Sequence, residues 1–127
     1  MESAERHKHL IRHLTIHYSA YVSLSSRNKV ASSITANWTL TTLNLDENSI
    51  GDNGAQALAE ALKTNSTLTT LELQNNSIGY NGVQALAEAL KTNSTLTTLY
   101  LDGNSIGDNG AEALRRVSTT TRCHISH

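Results

Sequence analysis

The side chains of this 127-residue chain that could do chemistry fall into a few groups. His7, His9, His13 and His17 crowd the N-terminal end and raise the question of a metal. No cysteine or carboxylate stands at ligand spacing beside them, so they are read as solvated histidines and no metal site is expected. Asp46, Glu72 and Asp102 form a second group. Acid–base catalysis needs a desolvated pocket that shifts a carboxylate pKa, and residues on an open strand face have none. Asn65-Ser66-Thr67 and Asn93-Ser94-Thr95 match the glycosylation acceptor. With no signal-peptide core in the sequence, they read instead as turns that end helices. No G-x-x-x-x-G-K-[ST] loop is present, so a phosphate-cradling nucleotide domain is not expected. No nucleophile, base and orienting partner can be assembled. The expectation is a chain with no catalytic residues and no cofactor.

The elements that must position these residues are repeats. Leu68 to Thr95 overlays Leu40 to Thr67 with only five differences, and overlays Leu96 to about Leu114 as plainly. Each copy carries L-x-x-L-x-L-x-x-N: Leu40, Leu43, Leu45 and Asn48, then Leu68, Leu71, Leu73 and Asn76, then Leu96, Leu99, Leu101 and Asn104. A period of this length marks stacked supersecondary units, and this signature is that of leucine-rich repeats. The second half of the unit reads N-S-I-G-x-N-G-[AV]-x-A-L-A-E-A-L. On these residues the chain resembles the ribonuclease-inhibitor-like class of leucine-rich repeat proteins, and is similar to the repeat domains of NOD-like receptors and Ran GTPase-activating proteins. The resemblance implies an α/β solenoid, a short horseshoe of 28-residue repeats with parallel strands on the concave face and helices on the convex face.

Within a unit the period changes from strand to helix. In Thr42-Leu43-Asn44-Leu45-Asp46 apolar and polar residues alternate, which predicts a half-buried strand with leucine inward. Asn48, Asn76 and Asn104 then fall in one column, where an asparagine can pair loop amides and carbonyls as a ladder. Asn53, Asn81 and Asn109 are predicted to cap the helices at their start. Ala55, Leu58, Ala61 and Leu62 form the apolar stripe, and Asn65 ends the helix after Lys63. Stacking is essential, because a buried leucine contributes only about 1.5–3 kcal/mol and one unit cannot offset its ordering entropy. Three clear copies are near the minimum, so marginal stability is expected.

The domain reading is residues 1–39 as an N-terminal segment, 40–117 as repeats (40–67, 68–95, 96–117), and 118–127 as a tail or partial cap. Two readings of the N-terminal segment stand side by side. Ile11, Leu14, Ile16 and Ser19 copy the strand half of a degenerate capping repeat, with one inserted residue before the helical half. An amphipathic helix over 4–22 is the other. At the far end Arg115 and Arg116 replace an Ala-Glu pair, and Cys123 with Ile125 suggests a last strand.

Charge and variation point to function. From Leu40 to Leu114 nine acids face two lysines, a balance of −7, while the segments on either side each carry +3. An acidic repeat face argues against binding nucleic acid, which needs clustered lysine and arginine. No apolar run is long enough for a membrane span. A single cysteine agrees with a reducing, intracellular and cytoplasmic setting. The near-identical copies differ chiefly in Asn44/Glu72/Tyr100, Asp46/Gln74/Asp102 and Glu47/Asn75/Gly103. Scaffold positions are held while the outward strand face varies, as a recognition surface would. The expected function is non-enzymatic protein binding through Asn44, Asp46, Glu47, Glu72, Gln74, Asn75, Tyr100 and Asp102, with a basic surface on the partner. The resemblance also admits a GTPase-activating or enzyme-inhibiting module, a fragment of a larger NOD-like receptor-type protein, and self-association through open solenoid ends.

Overall fold

A computed structural model describes residues 12–15 and 40–127. In chain order its elements are β1 (His13–Thr15), β2 (Thr42–Asn44), α1 (Gly51–Thr64), β3 (Thr70–Glu72), α2 (Tyr80–Thr92), β4 (Thr98–Tyr100), α3 (Gly107–Thr120) and β5 (His124–Ser126). The strands form one parallel sheet in sequence order. Parallel neighbours need a crossover, and in β2 to β5 the helices supply it. Register places Leu43 opposite Leu71 and Leu71 opposite Leu99. One sequence repeat therefore advances the fold by one strand, a step of about 4.8 Å.

Alternation gives the layers. Leu43, Leu71 and Leu99 are fully buried, whereas the residues flanking each in its strand are half-buried. Leu45, Leu73 and Leu101 bury on the same side, and Leu58, Leu62, Leu86, Leu90 and Leu114 meet them from the helices. Ile50 and Ile78 are buried too, while Ile106 in the third unit is only partly buried.

The outer strands keep the register but not the spacing. Leu14 pairs with Leu43, one residue more than the repeat, and Ile125 pairs with Leu99, two residues fewer. Residues 13–15 are extended rather than helical, at the offset the degenerate-repeat alignment requires. The rest of the 1–39 segment, with both of its readings, lies outside the described residues. At the other end β5 is a strand, with Cys123 buried beside it and Ile125 packed on the core.

The asparagine column is a ladder. Asn76 Oδ1 accepts from the amides of Asn48 (2.8 Å) and Ile50 (3.3 Å), and its Nδ2 donates to the carbonyls of Leu45 (2.9 Å) and Gln74 (3.1 Å). Asn104 repeats the pattern with the amides of Asn76 and Ile78 and the carbonyls of Leu73 and Leu101. A side-chain amide has two acceptor sites and two donors, so each of these residues is fully used on backbone that leaves the sheet. A second ladder lies where the helices end. Asn65 and Asn93 are the residues that follow α1 and α2. Asn93 donates to the carbonyls of Leu62 and Asn65 in the preceding unit, and its Oδ1 accepts from Thr95 and Leu96. The two Asn-Ser-Thr triplets are thus helix-ending turns built on buried asparagines.

The helix starts differ from expectation. The helices begin at Gly51, Tyr80 and Gly107, with Ile50, Gly79 and Ile106 at the cap positions, so Asn53, Asn81 and Asn109 lie inside the first turn instead of at the cap. For α2 the capping carboxylate comes from the preceding unit: Asp52 Oδ1 accepts from the amides of Gly79 (2.6 Å) and Gly82 (3.1 Å). A carboxylate there satisfies orphan donors and complements the positive end of the helix dipole. Tyr80 stands in the Asp52 column, so α3 receives no such group. Gly107 takes a left-handed φ of 70°, whereas Gly79 is extended.

The closeness of helix packing also differs along the stack. A Cβ built on Gly82 would lie 2.9 Å from Ala55 Cβ and 2.8 Å from both Ile78 Cγ2 and Asp52 Oδ1. On Gly110 it would lie 3.0 Å from Ile106 Cβ and 3.7 Å from Val83 Cγ1. Accordingly α2 packs less closely on α3 than on α1. Gly82→Ala is expected to lower stability by about 1–3 kcal/mol through overpacking and loss of the Asp52 cap. Gly110→Ala should stay within about 1 kcal/mol of wild type, because a helix-propensity gain near 1 kcal/mol offsets the milder contact. Urea midpoints of the two variants check this, and equal losses would refute it.

Candidate protein-binding face

Two rows of side chains run across the strands on the side away from the helices. The first is His13, Thr42, Thr70, Thr98 and His124, and the second is Thr15, Asn44, Glu72, Tyr100 and Ser126. Just past the strands Asp46, Gln74 and Asp102 continue a third. Neither lysine nor arginine occupies any of these positions. At the entry to the strands, the hydroxyls of Thr69 and Thr97 donate to the carbonyl one unit back, of Thr41 and Thr69, and so brace the rim.

The structure separates the eight residues expected at this face by what they already hold. Asp46 Oδ1 accepts from the Gln74 amide N–H at 2.8 Å. With its amide oriented so that the nitrogen faces Asp46, the Gln74 side chain donates to Asp46 Oδ2 at 2.8 Å. Asp102 accepts from the Ser126 hydroxyl through both oxygens, at 3.0 and 2.8 Å. Along this row acceptors alternate with donors, so part of the variation in the sequence is complementarity between units. Asn44 Oδ1 accepts from the Asp46 amide at 2.9 Å.

Glu47 and Asn75 share a left-handed turn position. Their φ values are 59° and 57°, and Gly103 in the same column has 77°. This left-handed region favours Gly and tolerates Asn. A Cβ at Gly103 would also displace the Asn75 side chain from its position. Both Glu47 and Asn75 are exposed at the turn.

Glu72 and Tyr100 remain. They stand directly opposite one another on β3 and β4, half-buried, and among the described residues neither side chain makes a hydrogen bond or ion pair. Burial, reinforced by the charge of Asp46, pushes the Glu72 carboxyl above the ordinary carboxylate range.

Outside this face, Tyr80 is, among the described residues, the exposed large hydrophobic one at 42%. It lines a groove of about 370 Å³ between α2 and α3 with Ala87, Lys91, Arg116 and Val117. The structural role of Asp52 was not legible in the sequence, where it differs from Tyr80 without any sign that it serves the next helix. Cys123 is sealed in the core, where burial pushes its thiol up to about 11. Among the described residues no three His, Cys, Asp or Glu side chains are grouped to hold a metal ion. Of the four N-terminal histidines only His13 is described. No helix among the described residues is long and apolar enough to cross a membrane.

Comparison with known proteins agrees with the geometry. A leucine-rich repeat model matches residues 36–59, 64–87 and 92–114, more than half of the chain and one match per structural unit. The fold is similar to that of leiomodin-1 actin-binding site 2, with a TM-score of 0.85 at 23% identity over 98% of this chain and 76% of that one. It is also similar to the C-terminal domain of tropomodulin from Caenorhabditis elegans, with a TM-score of 0.70 at 16% identity over 93% and 89%. At these identities the likeness is one of fold. No curated protein matches the sequence. The matched segments start one strand–helix unit apart, and the ribonuclease-inhibitor-like form of that unit is what the sheet register and asparagine ladder build: the chain belongs to the leucine-rich repeat family.

Proposed function

We propose that this chain is a non-enzymatic protein-binding module whose concave sheet face takes a partner with a basic surface, in an intracellular setting. The observation that carries the reading is the coincidence of variation and charge. Three of the five differences between the first two units fall in the columns that hold Asp46, Glu47, Glu72, Tyr100 and Asp102, and these columns hold no lysine or arginine. Of the eight residues named, Glu72 and Tyr100 are the proposed centre, and Asn44, Asp46, Gln74 and Asp102 shape the surface around them. Glu47 and Asn75 form its turn-side rim. Tyrosine at the centre of an interface with a charged rim is the usual arrangement of residues that dominate binding.

Affinity capture with three forms of the protein tests it: wild type, Glu72→Lys with Tyr100→Ala on the sheet, and Glu60→Lys with Glu88→Lys on the helices. A protein bound by wild type and the helix variant, and weakened about tenfold or more by the sheet variant, is the expected result. Loss with the helix variant alone would move the binding surface to the convex side. Actin belongs in the panel of purified partners, because the name of one neighbour in fold supplies it. The enzyme-inhibitor and GTPase-activating alternatives are tested in the same panel by adding GTPases and following GTP hydrolysis.

A further inference from the structure

Resting on the concave-face reading, we infer that the partner's key group is an arginine, seated between the Glu72 carboxylate and the Tyr100 ring. Three observations on the sheet lead there. The other two carboxylates of the sheet rows are occupied, Asp46 by Gln74 and Asp102 by Ser126, and Glu47 lies outside those rows, exposed on the turn. Glu72 and Tyr100 hold no hydrogen bond or ion pair among the described residues, and they face the same side on adjacent strands in register. Adjacent strands stand about 4.8 Å apart, so a planar group can touch both side chains at once.

The chemistry of that pair selects the cation. A carboxylate accepts two parallel N–H bonds from a guanidinium, and a tyrosine ring offers a face for the same plane to stack on. An ammonium is a compact, strongly hydrated point charge that can use the carboxylate but gains less from the ring. Glu72 is partly desolvated and lies near the Asp46 charge, so a cation placed against it offsets an existing cost. Thr70 and Thr98, next to the pair in their own strands, and Asn44, one strand away, are neutral. No fixed cation of the sheet rows competes for the carboxylate.

The test uses hexa-arginine and hexa-lysine peptides of equal charge, titrated into the isotope-labelled chain and followed by amide chemical shifts. The expected result is tighter binding of hexa-arginine, by about tenfold, with the largest shifts at Glu72, Tyr100 and their strand neighbours. Glu72→Gln and Tyr100→Ala should each remove the preference for arginine, and Tyr100→Phe should keep it, because only the ring face is used. Circular dichroism of each variant confirms that the fold is retained, as expected for side chains that make no hydrogen bond or ion pair among the described residues. Equal binding of the two peptides, or an arginine preference that survives Glu72→Gln, overturns this inference while leaving a basic partner in place. Failure of either peptide to shift any sheet residue overturns the concave-face reading itself.

Discussion

Replacing Asn76 by leucine is expected to lower stability by roughly 2–6 kcal/mol, the cost of leaving two buried amides without an acceptor at about 1–3 kcal/mol each. The side chain is fully buried, and leucine, with the same branching and number of side-chain heavy atoms, opens no cavity. What is lost is the acceptor for the Asn48 and Ile50 amides and the donor to the Gln74 carbonyl. The Leu45 carbonyl keeps its bond from Asn48 Nδ2. Against a total of about 5–15 kcal/mol for a small domain, such a loss can abolish the cooperative transition. Asn104→Leu should cost less. Asn104 is only half-buried, so water can replace part of what it gives. Urea unfolding followed by circular dichroism separates these cases. A loss under about 1 kcal/mol for Asn76→Leu would mean that the ladder does not hold the turns.

The second large effect lies in the sheet core. Leu71 sits on β3 between Leu43 and Leu99 and is wholly inaccessible to solvent. Truncation to alanine removes its transfer free energy and leaves a cavity that rigid strands on both sides cannot close, so a loss of about 3–5 kcal/mol is expected. Ile125→Ala on β5 should cost less than half as much, since that side chain is partly buried at the sheet edge. The same unfolding measurement decides, and similar losses at the two positions would contradict a core centred on the middle strands.

The repeat was legible in the sequence because its signals are periodic and local. Alternation in Thr42 to Asp46 implied a strand, the column of Asn48, Asn76 and Asn104 implied a ladder, and Asn65 and Asn93 marked helix ends. All of these stand in the structure. What was not legible acts between units. Asn53 and its equivalents looked like caps by residue type, yet the amides of α2 are served by Asp52 from the unit before. That bond joins residues 27 positions apart, and no window on one unit contains it. The proposed site was half legible for the same reason. Variation singled out eight residues, but only the register across strands shows that Asp46 and Asp102 are tied to neighbours while Glu72 and Tyr100, among the described residues, are not. The φ values likewise place Glu47, Asn75 and Gly103 in one left-handed column of a turn that alternation alone cannot describe.

The most direct test of the concave-face account is carboxyl footprinting of the chain, alone and saturated with a protein partner recovered by the capture experiment. The account predicts that Glu72 and Asp102 lose reactivity in the complex while Glu60 and Glu88 on the helices keep theirs. Protection of Glu60 and Glu88 with Glu72 unchanged would contradict it and place the partner on the helical side.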